Sequence, residues 1–134
     1  MQRVAVDRTV EADAETVRMR MHDIEPCMRA AGFDEVTVAG STIEVANEVG
    51  PVRIELTLER FEAEDADLAY RQRDGIFEAM TTWYRVTETE AGTAIEAETE
   101  FELDVAMVGS FLDSTVISVQ RRRELTAQLD YLEG

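Results

Sequence analysis

Lysine is missing from this chain. None of its 134 residues is lysine, and all 13 basic residues are arginine. Cysteine is almost as scarce: Cys27 stands alone, which excludes an internal disulfide. There is one histidine, His22. A metal site of the zinc type needs clustered His, Cys or carboxylate ligands, and the sequence spaces none together. There is no glycine-rich phosphate loop. No metal or other cofactor is therefore expected. No apolar run approaches the ~20 residues of a membrane-spanning helix. The opening MQRVAVDRTVEAD lacks the apolar core of a secretion signal. A soluble, cytoplasmic protein is the expectation.

Acid is what the chain has in excess. Asp and Glu number 29, for a net charge of −16. Such a charge argues against nucleic acid and anionic membrane as partners. It also strains the compact state by self-repulsion, which molar salt relieves because the Debye length falls to about 3 Å at 1 M. Acid excess with lysine absent reads as adaptation to high internal salt, as in halophilic archaea. The length suits one domain, residues 1–134, large enough to bury a core without disulfides or metals.

Most of the chain alternates between apolar and polar residues. Arg3 to Val10 reads as a strand. Asp13 is a helix N-cap, followed by Val17 and Met21 at helical spacing. Pro26 begins a second short helix over Cys27 to Ala31, and Gly32 ends it. From Phe33 the period is two. Strands are expected around Val36 to Val38, Ile43 to Val49, Val52 to Glu59, Leu68 to Arg73, Met80 to Thr87 and Thr93 to Val105. In the last, Ile95, Ala97, Thr99, Phe101 and Leu103 alternate with Glu96, Glu98, Glu100, Glu102 and Asp104. One apolar face and one acidic face describe an antiparallel sheet. A long helix over Phe111 to Leu132 closes the chain and is the element available to cover the apolar face.

This order, with VDRTVEADAETVRMRMHDIE at the start and GTAIEAETEFEL near the end, resembles the SRPBCC superfamily, with its START, Bet v 1 and polyketide cyclase/dehydrase relatives. Asp13 stands where that family usually has proline. The resemblance implies an α+β helix-grip fold: a seven-stranded curved antiparallel sheet around a long C-terminal helix, with two short helices after the first strand. It also implies a ligand cavity between sheet and helix. It is almost silent on function, since the family holds carriers, cyclases and hydrolases.

Connections in a meander alternate between two ends. Val49 to Pro51, Asp74 to Ala79 and Ala106 to Gly109 therefore share one end, where the resemblance places the cavity mouth. Ile76, Phe77, Met107 and Val108 make that end unusually apolar, either as a cap on the core or as a rim for a hydrophobic ligand. Strand parity points Asn47, Tyr70, Gln72, Thr82, Tyr84, Ala97 and Thr99 inward. At 100° per residue, Phe111, Ser114, Thr115, Ser118, Arg122, Leu125, Leu129 and Leu132 share one broad face of the final helix. Its first half is one Phe and small hydroxyls where leucine would bury more. These polar groups either bond to one another or line a hollow that a ligand fills.

Thirteen residues are thus expected to line a site: Asn47, Tyr70, Gln72, Phe77, Met80, Thr82, Tyr84, Thr99, Met107, Phe111, Ser114, Thr115 and Ser118. The expected function is binding of a small hydrophobic or amphipathic ligand. A cyclase- or dehydratase-like enzyme using Tyr70, Tyr84, Asn47 or a cavity-facing Arg is the alternative, and a protein-interaction module is the third. No catalytic motif is identifiable. Cys27 reads as a buried structural thiol and His22 as a helix-terminal side chain. Within Arg121 to Arg123, which span roughly 200° of helix, one guanidinium is pushed toward the sheet, to pair with acids or to anchor an anionic head group. Trp83, on the opposite parity, is expected on the convex face, an interface candidate for a homodimer.

Overall fold

The computed structural model describes residues 1–104, 106 and 112–134. Val105 and residues 107–111, with the expected site residues Met107 and Phe111, lie outside the described residues. Seven strands form one antiparallel sheet in the order β1-β7-β6-β5-β4-β3-β2. They are β1 (Gln2–Val10), β2 (Glu35–Ala39), β3 (Thr42–Val49), β4 (Val52–Arg60), β5 (Leu68–Asp74), β6 (Phe77–Thr89) and β7 (Gly92–Leu103). Helices α1 (Ala14–His22) and α2 (Ile24–Ala30) follow β1, and the long α3 (Ser114–Glu133) ends the chain. This is the helix-grip arrangement.

The alternation read in the sequence explains the sheet. Along β7 the concave-side residues Ile95, Ala97, Thr99 and Phe101 are buried, while Glu96 and Glu102 are exposed. Glu98 is the departure. It lies on the convex side yet is 6% exposed, because Arg3 and Arg85 close over it. Trp83 sits on that same convex face, half-buried between Ala69 and Glu98 of the neighbouring strands.

Local chemistry sets the helix starts. Asp13 accepts a hydrogen bond from the Thr16 amide at 2.7 Å and caps α1. Asp113 does the same for α3 through the Val116 amide, at 2.9 Å. Helix α2 begins at Ile24, earlier than expected, and Pro26 lies in its first turn, where the missing N–H costs nothing. Gly32 then turns the chain at φ +108°.

The turn between β5 and β6 differs from the expected six-residue loop. β6 begins at Phe77, so only Gly75 and Ile76 connect the two strands. A register shift near Phe77 accommodates the early start. Gly75 has φ +152°, and a Cβ there would meet Leu56 Cδ2 at 2.5 Å. Only glycine fits. Ile76 and Phe77 are buried, with Phe77 edge-on to Phe101 at 5.4 Å between ring centroids. Both therefore cap the core rather than form an exposed rim.

Helix α3 packs against β1, β7, α1 and α2. Its buried residues are Ile117, Arg121, Glu124, Leu125, Gln128, Leu129 and Leu132. The inward face is thus rotated by roughly 60°, at 100° per residue, from the one expected. Ser114 and Ser118 are half-buried and Thr115 is exposed. The expected hydroxyl-lined half-face is corrected. The leucines at 125, 129 and 132 are central enough to fit either rotation, and contact with β1 and α2 selects the one that buries Ile117, Arg121 and Gln128.

Candidate functional site

The inward side chains of the sheet meet this rotated face in two layers. In the layer nearer the β3–β4 and β5–β6 turns, Arg121 and Glu124 form a buried ion pair, Nη1 to Oε1 at 2.6 Å. They stand at i and i+3, so one helical turn brings both onto one side of α3. Arg121 Nη2 donates to Thr82 Oγ1 at 3.0 Å. The Thr82 hydroxyl lies 2.9 Å from that of Thr99, and Thr99 Oγ1 donates to the Thr81 carbonyl at 3.2 Å. Met80 places its sulfur 3.3 Å from the Thr82 hydroxyl. The second Glu124 oxygen accepts from Gln120 Nε2 at 3.0 Å and from Asn47 Nδ2 at 3.4 Å. Strands β3, β6 and β7 thus each contribute one polar group to a cluster centred on the ion pair.

The deeper layer joins two tyrosines to α2. Tyr70 and Tyr84 hydroxyls lie 2.9 Å apart, and Tyr84 donates a short hydrogen bond to Gln128 Oε1. Gln128 Nε2 continues to the Cys27 carbonyl at 3.1 Å. Burial holds the Tyr84 hydroxyl well above its usual pKa, with further upward pushes from Tyr70 and Cys27 against a downward one from Arg121. Burial also drives the Cys27 thiol up to about 12, so it stays neutral. For Arg121, burial favours loss of the proton, but Glu124 and the two tyrosines outweigh it and the net shift is upward. Arg121 is a permanent cation.

Of the expected site residues, Asn47, Tyr70, Met80, Thr82, Tyr84 and Thr99 are brought together in these layers. Among the described residues, their polar groups bond to one another and to α3. Gln72 serves elsewhere. Its amide clasps the Phe77 backbone, accepting from the Phe77 N–H at 3.0 Å and donating to its carbonyl at 2.8 Å. Phe77 does border the cluster. Ser114, Thr115 and Ser118 do not reach it. Glu124, Gln128 and Gln120 do, and the sequence reading missed them. Their signal was spacing: Ile117, Arg121, Glu124 and Gln128 recur at i, i+4, i+7 and i+11, a helical stripe alongside the leucines. Of the three consecutive arginines only Arg121 turns inward, and its acid partner lies on its own helix.

Between the ion pair and the turn end lies a cavity of about 20 Å³. Phe33, Ile54, Leu56, Ile76, Phe77 and Ile117 form its apolar wall, and Asn47, Gln120, Arg121 and Glu124 its polar floor. Ile54 and Leu56 are open to it on a stretch of β4 that β5 does not pair, since that ladder covers only residues 57–60 of β4. The volume suits about one water molecule. A wider groove of about 460 Å³ runs over Glu35, Glu44, Glu55 and Asp74. It gathers carboxylates, and among the described residues no group of three or more is placed to hold a metal.

No protein-family model matches the chain, and no curated protein matches its sequence. Solved structures do match its fold. The Zhui aromatase/cyclase from Streptomyces sp. R1128 superposes with a TM-score of 0.81 at 18% identity, covering 99% of this chain and 92% of that one. A START superfamily protein from Mycobacterium smegmatis gives 0.76 at 12% identity, covering 98% and 94%. The likeness extends over essentially the whole chain. At these identities it establishes the fold that the sequence resemblance implied: the helix-grip architecture of the START and aromatase/cyclase structures.

Proposed function

We propose that this protein binds a small, mostly apolar molecule between the sheet and the first half of α3, at the end closed by the β3–β4 and β5–β6 turns. The observation that carries this reading is the buried Arg121–Glu124 pair at the floor of an apolar-walled cavity. A buried ion pair is poor value for stability, because well-packed apolar residues in its place are often neutral or better. An apolar wall with a few fixed polar groups is how small-molecule sites are built. The described cavity is far below the several hundred Å³ of such sites, so the bound ligand extends beyond it. Native mass spectrometry of protein purified from its own cells tests the reading. A retained small molecule, lost on unfolding, is the expected result. An unliganded protein whose melting temperature no apolar compound raises would contradict it.

Binding is favoured over acid–base catalysis by the direction of the pKa shifts. Arg121, Tyr84 and Cys27 all move away from neutrality, whereas a catalytic acid or base works best near the ambient pH. The acidic surface fits a cytoplasm of molar salt. Melting temperature should accordingly rise between low salt and molar KCl, and a flat response would remove that part of the reading. Self-association we assign to the convex face at the half-buried Trp83.

A further inference from the structure

Among the described residues, Arg121 Nε is the one buried side-chain nitrogen or oxygen without a hydrogen-bond partner. Arg121 is 5% exposed and lines the 20 Å³ cavity. Its two terminal nitrogens are used, by Glu124 and by Thr82. Glu124 is used as well: one oxygen takes Arg121, the other takes Gln120 and Asn47. A buried donor left unpaired is unfavourable, and guanidinium nitrogens donate without accepting. From these contacts we infer that Arg121 Nε–H recognises an uncharged oxygen acceptor on the ligand, a ketone, ester or amide carbonyl, and that the site rejects carboxylates.

Charge decides between a neutral and an anionic partner. The Arg121 cation is already neutralised by Glu124, so an entering carboxylate gains little from the arginine and meets the glutamate a few ångströms away. The net charge of −16 opposes the same anion at long range. A neutral carbonyl meets neither repulsion and satisfies the free donor. The cavity has room for such a single polar atom beside the floor. The apolar body of the ligand then lies against Ile76, Phe77 and Ile117, which border the cavity on its other sides.

This inference rests on the ligand-binding reading above, and its test separates the two. Three probes of one shape are titrated into ¹⁵N-labelled protein: 2-acetylnaphthalene, 2-isopropenylnaphthalene and 2-naphthoate. The expected order is ketone tighter than alkene by about tenfold or more, with the carboxylate weakest. Only the ketone should move the Arg121 Nε–H resonance. In Arg121→Lys the cation remains and the Nε donor is gone, so the ketone should lose its advantage over the alkene. Equal binding of ketone and alkene with an unmoved Arg121 resonance overturns this inference and leaves the binding site standing. Tightest binding by naphthoate overturns it in favour of an anion site. Failure of all three to bind overturns both readings.

Discussion

The two halves of α3 pack against the same protein by different means. From Leu125 onward the helix buries Leu125, Leu129 and Leu132 against Val17, Met21, Met28 and the strands, a leucine-rich packing interrupted only by Gln128. Before Leu125 it buries Arg121 and Glu124, beside Ile117. Apolar burial stabilises each leucine by about 1.5–3 kcal/mol. The ion pair and its hydrogen bonds at best offset the desolvation of two charges. One half holds the helix to the sheet; the other fixes where polar atoms stand. A protein selected for stability alone has no use for the polar half, before Leu125, and that contrast is what points to a ligand there.

Substitutions sharpen the contrast, and the largest effect is expected where one charge loses its partner. Glu124→Leu should destabilise by about 3–5 kcal/mol, because Arg121 remains buried, cationic and unpaired. Chemical denaturation of the variant checks this. A loss below ~1 kcal/mol would mean that the pair is solvated and the polar half is not a sealed floor. In the other half, Leu129→Ala should cost about 2–5 kcal/mol through lost burial and the cavity left behind, leaving ligand selectivity unchanged. Tyr84→Phe, which removes the hydroxyl shared by Tyr70 and Gln128, should cost about 1–2 kcal/mol.

An alkaline titration reads the deeper layer by a different route. Cys27 and Tyr84 have raised pKa values, so the folded state holds protons that the unfolded state releases. Their contribution is complete below the unfolded Cys pKa of 9.0. For Cys27 it is lost as pH climbs from there to about 12, at up to ~1.4 kcal/mol per pH unit. Cys27→Ala should flatten the first part of that decline, and Tyr84→Phe the part beginning near its ordinary value of 10.0. Melting temperatures across pH 8 to ~11 measure it. The smallest effect is expected at Ser118→Leu. Half-buried and off the inward stripe, it should change stability by no more than ~0.5 kcal/mol and leave probe binding intact.

Most of the sheet was legible in the sequence because β1, β4 and β7 declare their buried face by period-two alternation, from Val4 to Phe101. The meander end was legible too, since turn residues fall between those runs. Helix α3 was harder. Leu125, Leu129 and Leu132 define a face broad enough to extend backward through Ser118 and Ser114 or through Arg121 and Ile117. Only tertiary contact with β1 and α2 decides. Helical periodicity does not choose between them, because each face carries an arginine, Arg122 on the expected one and Arg121 on the observed one. The polar residues Asn47, Thr82, Tyr84 and Thr99 were placed by parity alone. Their partners were hidden, because Glu124 and Gln128 look like surface positions until a cation and two tyrosines are folded against them. Gln72 was misread for the same reason: its partner is a backbone two residues beyond a glycine turn that local pattern did not fix.

The most direct measurement replaces both charges at once. In Arg121→Met/Glu124→Leu the pair is exchanged for apolar side chains of similar reach, and no buried charge is stranded. Calorimetric melting and 2-acetylnaphthalene binding would be recorded on the variant and the parent protein in molar salt. The account predicts a variant at least as stable as the parent, by up to ~1–4 kcal/mol, that no longer prefers the ketone over its alkene analogue. A variant that melts several kcal/mol below the parent while keeping that preference would show that the ion pair holds the fold together and does not recognise a ligand.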